Sequence, residues 1–533
     1  MLVYRIKDNY KNDRQIKDYC LRIGEWPRAD HQCRTKMSGL NGESSRILQN
    51  FIGGEYVDSI QTPCKYIPVT TPHTGEVIAQ CPISTAEDVE KAVEAAKEAY
   101  KSWSARTVKD RVQTLFRFHN LLHTHIDELA DLIVLEHGKN KAEAIASIAK
   151  GAETVEYATS LPQLIQGKIL DVSKGVTCND TRVPLGVVAS IVPFNFPIMV
   201  PMWSLPIAIA TGNTLILKPS EKVPLTMYRI VSLLKEAGVP DGVVNLVNGT
   251  VDAVNAICDH PDIKAVTFVG TSQVANLVME RCHKLGKRVL ALGGAKNHLI
   301  ASPDCNVETT STDVVNSFSG CAGQRCMAAS VLLIIGSQPE LLERITDKAM
   351  ALKPGSKSGE VGPVIDKASL DKITSYIEAS EHGGANILVD GRSWTKSHTK
   401  GFWIGPTVIF HKNKEDKALH DEIFGPVLSI YQCSSKEEAI EIENNNPYGN
   451  AACIYTTTGA TAEWFIKRFN AAMCGVNIGV PVPREPFSFG GINRSKFGNF
   501  VDITGDGGVE FFTWRRKVTT RWGQENLDPK LKM

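Results

Sequence analysis

Residues 186–221 read GVVASIVPFNFPIMVPMWSLPIAIATGNTLILKPSE, and this stretch decides the fold class. Two apolar runs, at 186–192 and 213–218, have the length of buried strands, and each is followed by a proline. Further apolar runs follow at 242–247, 264–269, 288–292 and 298–302, with helical patterns at 226–237, 252–258 and 272–285. Such alternation implies parallel pairing in a doubly wound, Rossmann-like α/β sheet, which binds ligands outside the carboxyl ends of its strands.

Both flanks of this stretch carry further elements. Upstream we predict strands within 50–57 and 66–78, then a helix that begins with a Ser84–Glu87 capping box. Its apolar face is formed by Val89, Ala92, Val93, Ala96 and Ala99. Beyond Cys305, helices are expected at 340–352, 366–381 and 461–469, and strands at 403–410, 426–433, 450–456 and 474–478. They predict a second α/β domain, with a boundary near residue 302.

Charge and composition exclude several classes of function. The 59 Lys and Arg balance the 58 Asp and Glu, so neither nucleic acid nor an anionic membrane is expected as a partner. No apolar run reaches the roughly 18 residues that a membrane span needs. The 13 cysteines include no CxxC pair, which favours reduced thiols over a disulfide framework. Residues 1–46 are polar and contain several acidic residues, which favours an unstructured extension over a signal or transit peptide.

The segment Cys321-Ala-Gly-Gln-Arg-Cys326 is the first candidate for chemistry. A thiolate is a strong nucleophile, and a nearby arginine lowers a thiol's pKa. Arg325 places such a cation beside Cys326, and Gly323 allows a tight turn before it. The segment alone says little, since most cysteines in such a chain are small buried hydrophobes.

Two segments at predicted strand ends carry polar groups. Asn195 lies between aromatic residues and prolines in PFNFP (193–197), so its amide is held rigidly and can donate to a developing oxyanion. Lys218 and Glu221 in KPSE (218–221) can bind ribose hydroxyls or phosphates. An ordinary turn asparagine and a solvated turn are the alternative interpretations.

Two further segments lie beside turns. Gly270 in FVGTS (268–272) opens the approach to a helix N-terminus, which favours phosphate. EIFGP (422–426) places a carboxylate and an aromatic ring beside a turn. The chain has no G-x-G-x-x-G sequence, so the usual dinucleotide loop is missing.

Taken in order, these segments resemble a known family. PFNFP, KPSE, FVGTS, GQRC and EIFGPV are similar to the landmarks of the aldehyde dehydrogenase superfamily, and the resemblance covers about residues 50–522. One branch oxidises methylmalonate semialdehyde and passes the acyl group to coenzyme A. The segments similar to that branch are ICDHPDIKAVTFVG (257–270), GAKNH (294–298), GQRCMA (323–328), NNNPYGN (444–450) and FSFGGINRSKFG (487–498).

The resemblance implies a fold with a Rossmann-like NAD-binding domain, an α/β catalytic domain and a small oligomerisation β-arm. It divides the chain into a disordered extension (1–46), an NAD-binding domain (47–169 and 187–301), a catalytic domain (302–490), an arm (170–186 and 491–522) and a tail (523–533).

The predicted arm implies that the protein forms an oligomer, and the resemblance to the branch implies where it is located. Residues 176–182 and 510–521 alternate as exposed strands do, and such strands pair across subunits in the family. A homodimer or homotetramer is therefore expected. The branch's part in valine and pyrimidine breakdown implies an intracellular, mitochondrial enzyme, although residues 1–46 do not resemble a transit peptide; the cytoplasm is the alternative.

The resemblance also assigns roles to residues. Cys326 attacks the aldehyde, and Asn195 forms the oxyanion hole together with the Cys326 amide. Hydride then passes to the nicotinamide, and a thioester remains on Cys326. Lys218 and Glu221 match the positions that bind the adenosine ribose, and Glu422 the one that binds the nicotinamide ribose. The full set expected around NAD is Val192, Phe194, Lys218, Glu221, Lys222, Thr271, Glu422 and Phe424; no metal is expected.

One position departs from the hydrolytic members of the family. Those members carry a glutamate in ELGGK, the base that activates water against the thioester. This chain reads LALGGAK (290–296), which places Ala291 or Leu292 there, depending on the alignment. General base assistance is worth about 100- to 10,000-fold, so water should attack slowly and the thiol of coenzyme A should release the acyl group.

The semialdehyde carboxylate requires cations. Arg325 is one candidate, and Lys150 matches the position of the family's second pocket arginine. Lysine keeps the charge but loses the bidentate fork. Arg484 is either a replacement cation or, as we favour, a surface charge.

Three functions are therefore compared. The first converts methylmalonate or malonate semialdehyde to propionyl- or acetyl-CoA with loss of carbon dioxide. The second is a hydrolytic dehydrogenase in which Glu422 replaces the missing base. The third is a non-catalytic binding protein on the same scaffold, which the joint presence of Cys326, Asn195, Lys218 and Glu422 disfavours.

Overall fold

The computed structural model describes residues 46–522. The predicted extension at 1–46, apart from Arg46, and the predicted tail at 523–533 lie outside the described residues.

The secondary structure follows the chain in three stretches. The first contains β1 (Arg46–Ile47), β2 (Asn50–Ile52), β3 (Glu55–Val57), β4 (Tyr66–Thr70), β5 (Val77–Pro82), α1 (Ala86–Trp103), α2 (Val108–Thr124), α3 (Ile126–His137), α4 (Lys141–Thr159), α5 (Leu161–Leu164), β6 (Lys168–Ser173) and β7 (Val176–Pro184). The second contains β8 (Val187–Ile191), α6 (Met199–Met202), α7 (Leu205–Ala210), β9 (Thr214–Lys218), α8 (Pro224–Glu236), β10 (Val244–Leu246), α9 (Val251–Asp259), β11 (Ile263–Val269), α10 (Ser272–His283) and β12 (Arg288–Leu292).

The third stretch begins with β13 (Asn297–Ala301), α11 (Val307–Ser319), a 3₁₀ turn (Gly320–Gly323), β14 (Ala329–Ile335), α12 (Pro339–Met350), α13 (Lys367–His382), β15 (Asn386–Val389), α14 (Arg392–Ser397), β16 (Thr407–His411) and α15 (Lys417–His420). It ends with β17 (Val427–Cys433), α16 (Lys436–Asn444), β18 (Tyr448–Gly449), β19 (Ala451–Tyr455), α17 (Gly459–Ile466), β20 (Met473–Val476), β21 (Ile492–Asn493), β22 (Lys496–Gly498), α18 (Gly505–Phe511) and β23 (Thr513–Arg521).

The first large sheet has eight strands in the order β22-β12-β11-β8-β9-β10-β2-β3. The five strands from β12 to β10 pair in parallel, and antiparallel strands close both edges. Every residue of β8 and β9 is buried, as is typical of parallel strands covered by helices on both faces. The doubly wound sheet that residues 186–221 predict is therefore confirmed.

The second large sheet has seven strands in the order β15-β16-β17-β14-β13-β19-β20, all parallel except the edge strand β15. The run at 298–302 had been expected to belong to the first domain. Instead β13 pairs with β14 and β19 in the second sheet, so the two sheets divide between Leu292 and Asn297. Apolar periodicity shows that a strand is buried but not which sheet it joins.

Two other local predictions are corrected. The helix α1 begins one residue later than expected, with a capping box formed by Thr85 and Asp88. Ser84 is buried and bonds with Asn50 instead. Residues 496–498, expected in the arm, form β22 against β12 in the first sheet.

Of the other strands expected in the arm, β21 pairs with β18, and β6, β7 and β23 form a three-stranded antiparallel sheet in the order β23-β7-β6. Within this sheet, β23 begins at Thr513, because Glu510 belongs to α18. Several large apolar side chains are exposed on it: Ile169, Leu170, Val172, Trp514 and Val518. Among the described residues, no helix combines the length and the apolar character needed to cross a membrane.

Candidate active site

Cys326 follows the 3₁₀ turn at Gly320–Gly323 and precedes β14. The turn is left-handed, with φ of 52° at Cys321, 53° at Ala322 and 69° at Gly323. A side chain at Gly323 would overlap the backbone of Gly425, so glycine is required at that point.

Two side-chain amides fix the backbone of Cys326. Asn297 Nδ2 donates to the Cys326 carbonyl over 2.8 Å, and Asn450 Nδ2 donates to the same oxygen over 2.9 Å. Asn297 also donates to the Ala328 carbonyl over 2.9 Å. Because both asparagines come from the second sheet region, the thiol is held by a rigid part of the molecule.

The electrostatics of the Cys326 thiol differ from the sequence-based expectation. Burial raises its pKa to about 12, the Glu422 carboxylate adds to the rise, and Arg325 offsets it only in part. The guanidinium of Arg325 is already paired with Glu143, at 2.9 Å. Burial and the Glu422 carboxylate therefore both disfavour the thiolate form of Cys326.

Asn195 lies just beyond the carboxyl end of β8 and is buried. Its Nδ2 donates to the carbonyl of Gln324, two residues before Cys326, over 3.0 Å. A side-chain amide has two hydrogens, so a second donor remains available for a developing oxyanion. The backbone carbonyl of Asn195 accepts a hydrogen bond from Lys139 Nζ over 2.7 Å.

The residues expected around the adenosine of NAD lie at neighbouring strand ends. Ile191 pairs with Lys218 in the register of β8 and β9, which brings Val192 beside Lys218. Lys218 Nζ lies 3.2 Å from Glu221 Oε2. One strand further out, Thr271 caps the N-terminus of α10 through the Val274 amide.

The remaining cofactor candidates form an aromatic and charged border. Lys222 Nζ lies 5.3 Å from the centre of the Phe194 ring and 2.6 Å from Asp366 Oδ2. Phe194 and Phe424 meet edge to face, with ring centroids 6.0 Å apart. Phe424 has a φ of 59°, a strained conformation for a residue other than glycine.

Glu422 lines the same cavity as Cys326, together with Ala295, Lys296 and Phe424. Its Oε1 accepts from the Ala295 amide over 2.9 Å, and burial raises its pKa. A carboxyl group therefore lies in the same cavity as Cys326, as the hydrolytic alternative requires.

The structure separates the two alignments of LALGGAK. Leu290 and Leu292 belong to the hydrophobic cluster against which Cys326 packs, whereas Ala291 belongs to the cluster on the opposite face of the sheet. Leu292 thus shares its hydrophobic cluster with Cys326, in agreement with the alignment by distance from Cys326. An alkyl side chain cannot accept a proton from water.

Both predicted substrate cations are paired with carboxylates. Arg325 bonds with Glu143, whose Oε1 also accepts from the Cys321 amide over 2.8 Å. Lys150 Nζ lies 2.8 Å from Glu153 Oε2 and 3.3 Å from Glu485 Oε2. Arg484, which we had interpreted as a surface charge, is 80% exposed.

Several residues of the site escaped the sequence analysis. Asn297 lies inside GAKNH and Asn450 inside NNNPYGN. Both segments resemble the family branch, but the resemblance did not predict that these two amides bind the Cys326 carbonyl. Lys139, Glu143 and Glu485 had no such signal, because their partners lie far away in the sequence.

Comparison with known proteins identifies this arrangement. Residues 56–518 match the model of the aldehyde dehydrogenase family. The chain belongs to the aldehyde dehydrogenase family. It is 44% identical over 482 residues to malonate-semialdehyde dehydrogenase 1 of Geobacillus thermodenitrificans, an alignment that covers 90% of this chain and 99% of the relative.

Solved structures of aldehyde dehydrogenases share the fold. Methylmalonate-semialdehyde dehydrogenase from Oceanimonas doudoroffii superposes with a TM-score of 0.87 at 38% identity, covering 90% of this chain and 99% of the other. A Sinorhizobium meliloti protein assigned to the same activity and complexed with NAD gives 0.89 at 35% identity, covering 91% and 100%. The predicted family and fold are confirmed, and the protein is an aldehyde oxidoreductase rather than a non-catalytic binding protein.

These dehydrogenase relatives also bear on the compartment. They are bacterial proteins, and bacteria have no mitochondria. The relatives therefore do not support the mitochondrial location implied by the resemblance.

Proposed function

We propose that this aldehyde dehydrogenase oxidises malonate or methylmalonate semialdehyde with NAD and transfers the acyl group to coenzyme A. The relatives named for these two semialdehydes support the substrate. The observation that carries the coenzyme A step is the position of Leu292, an alkyl side chain on the face of the sheet where Cys326 packs.

The first step is addition of the Cys326 sulfur to the aldehyde carbon. The carbonyl oxygen gains negative charge as the carbon becomes tetrahedral, and the free amide hydrogen of Asn195 stabilises that charge. The Cys326 thiol loses its proton to solvent before it attacks, because the thiolate is the nucleophilic form. Burial and Glu422, which raise the pKa of this thiol to about 12, oppose that loss.

NAD, when bound, supplies the hydride acceptor for this thiohemiacetal. Lys218 and Glu221 would hold the adenosine ribose, and the N-terminus of the 12-residue helix α10 favours the phosphates. The fit is supported by Lys218, which is buried with Glu221 as its neighbour and can donate to a ribose hydroxyl. Glu422 and Phe424 would lie at the nicotinamide end.

Loss of hydride leaves a thioester on the Cys326 sulfur. The sulfur of coenzyme A attacks the thioester carbonyl, the bond to Cys326 Sγ breaks, and the acyl group leaves as a new thioester. A carboxylate β to a thioester carbonyl is readily lost as carbon dioxide, and a proton replaces it. The products are acetyl-CoA from malonate semialdehyde and propionyl-CoA from methylmalonate semialdehyde.

A hydrolytic dehydrogenase is the second candidate, and the position of Glu422 in the cavity of Cys326 favours it. In that case Glu422 accepts a proton from water, and the product is the free acid. Glu422 Oε1 accepts from the Ala295 amide, so Oε2 is the oxygen that would take this proton.

Product analysis separates the two functions. With malonate semialdehyde and NAD, the proposal predicts acetyl-CoA as product and NADH formation that depends on coenzyme A. Because Glu422 also lies at the nicotinamide end, Glu422→Gln is assayed at saturating NAD, where it should still release acyl groups to coenzyme A if hydrolysis is not the route. Free acid made at the same rate with and without the thiol would establish hydrolysis instead.

Assembly and location are part of the same proposal. The exposed apolar residues of the β23-β7-β6 sheet support pairing of this sheet across subunits in a homodimer or homotetramer. An intracellular location is proposed from the use of NAD and coenzyme A.

A further inference from the structure

One face of helix α4 connects the nucleophile with a second charged cluster. Glu143 and Lys150 are seven residues apart, so they lie on the same face, about 10 Å apart along the axis. Glu143 bonds with Arg325, the neighbour of Cys326. Lys150 therefore lies along the same helix face that borders the catalytic loop.

Lys150 is the centre of this second cluster. Its Nζ contacts Glu485 Oε2 at 3.3 Å and Glu153 Oε2 at 2.8 Å. Thr154, one turn further on, donates its hydroxyl to Glu485 Oε1 over 3.0 Å. Glu485 is thus held from both of its oxygens by the face of α4.

The two carboxylates around Lys150 differ in their exposure to water. The side chain of Glu485 is 8% exposed, whereas that of Glu153 is 35% exposed. Charges that are removed from water interact more strongly and are screened less by salt. Glu153 lies closer to the ammonium, and Glu485 is the partner that water and salt screen less.

The pairing has a consequence for an anionic substrate. Two carboxylates share one lysine, and the neighbouring Arg484 is 80% exposed and 4.0 Å from Glu153. The Lys150 ammonium has three N–H donors, so a substrate carboxylate that reaches it binds beside these partners and against their negative charge. Glu143 pairs with Arg325 and not with Lys150, and it also accepts from the Cys321 amide. Its role is therefore to hold the segment before Cys326.

We propose that Glu485 is a specificity-determining residue, which competes with the substrate carboxylate for Lys150 and so weakens the binding of semialdehyde acids relative to uncharged aldehydes. This inference rests on the proposed function, since it takes the aldehyde to carry a carboxylate. Glu485 acts on the tail of the substrate and takes no part in bond making at Cys326.

The test compares two aldehydes of three carbons, malonate semialdehyde with its carboxylate and propanal without one. The variant Glu485→Gln removes the charge but keeps an oxygen for Thr154, so the fold should be retained. We expect the KM for malonate semialdehyde to fall about fivefold or more, with kcat within about twofold and the KM for propanal unchanged.

Three further variants test whether the change in KM arises from the contact between Glu485 and Lys150. Glu153→Gln is the matched control and should lower the KM for malonate semialdehyde by less than Glu485→Gln does. Thr154→Val loosens Glu485 and should change the KM in the same direction as Glu485→Gln, but less. In a Lys150→Met background, Glu485→Gln should bring no improvement, because the cation that it frees is gone.

The outcomes separate this inference from the proposed function. An equal change of KM for both aldehydes, or a higher KM for malonate semialdehyde in Glu485→Gln, would overturn the role of Glu485. If the wild type oxidises propanal but not malonate semialdehyde, the proposed substrate is wrong. Activity on malonate semialdehyde that appears only in Glu485→Gln would then still support the role of Glu485.

Discussion

Lys139 Nζ donates to the backbone carbonyl of Asn195 over 2.7 Å. Lys139 is buried, and its ammonium also lies 4.1 Å from the centre of the Phe196 ring. The contact joins the segment after α3 to the PFNFP turn, so a buried charge holds Asn195, the proposed oxyanion donor, in place. Lys139 is a positioning residue in this account.

Replacing Lys139 with methionine tests that role. Lys139→Met keeps the side-chain length but removes the donor, so Asn195 is less well placed when the oxyanion forms. We expect kcat to fall about tenfold or more, below the 100- to 1000-fold typical of losing an oxyanion donor itself. The KM for NAD should change little.

Lys141 provides the control for this substitution. It lies two residues away, is 39% exposed and pairs with Asp127 and Asp131. Lys141→Met should leave kcat within about twofold, as surface ion pairs contribute little. Equal losses in the two variants would mean that Lys139 serves the fold and not the oxyanion hole.

The raised pKa of Cys326 predicts a steep pH dependence of alkylation. The thiolate is the reactive form, and with a pKa of about 12 its fraction rises about tenfold per pH unit in the neutral range. Iodoacetamide labelling of Cys326 in the free enzyme, followed by mass spectrometry, should therefore accelerate about 100-fold between pH 7 and pH 9.

The contribution of the Glu422 carboxylate to the raised pKa of Cys326 can be tested with a variant. Glu422→Gln removes a negative charge that opposes the thiolate, so labelling at pH 9 should be faster than in the wild type. Asp421→Asn, at the adjacent position, should have a smaller effect. A labelling rate that is flat between pH 7 and pH 9 would contradict the raised pKa.

Asn297 and Asn450 both donate hydrogen bonds to the Cys326 carbonyl, so removing one of them should lower both activity and stability. Asn450→Ala removes the 2.9 Å hydrogen bond to that buried oxygen. Leaving a buried group less well satisfied typically costs about 1–3 kcal/mol. The melting temperature should fall, and kcat should fall with it because the sulfur is less well placed. Asn445→Ala, at an exposed position in the same segment, should change neither.

If the alkyl side chain of Leu292 is what keeps hydrolysis slow, a carboxylate at this position should create hydrolytic activity. Leu292→Glu places a carboxylate on the nucleophile's side of the sheet and should raise NADH formation in the absence of coenzyme A. Leu292→Gln, of nearly the same shape but without a base, should not. Equal thiol-free rates in both variants would show that the absence of a base at this position is not what limits hydrolysis.

The sequence predicted those parts of the molecule that depend on local pattern. The run RVLAL (288–292) forms β12 with the predicted ends, and the runs of β8 and β9 were placed within one or two residues. Buried parallel strands are continuous apolar runs between turns, so their positions can be read directly. The order of the strands in each sheet cannot, as the assignment of β13 to the second sheet shows.

The site was predictable where motifs carried it and not where distant contacts determine it. Cys326 and Asn195 were predicted from the segments around them; the structure joins these segments through the hydrogen bond from Asn195 to Gln324, and the catalytic roles stay predictions. The pairing of Lys150 with Glu485, 335 residues away, leaves no trace in either local segment. The pKa of Cys326 was misjudged for a related reason, since neither its burial nor the partner of Arg325 can be read from GQRC.

The most direct test of the central claim is the time course of NADH formation with malonate semialdehyde in the absence of coenzyme A. The account predicts one rapid turnover, an acyl adduct on Cys326 detectable by mass spectrometry, and continued turnover to acetyl-CoA only when coenzyme A is added. Sustained turnover to the free acid without any thiol, with no adduct accumulating, would contradict it.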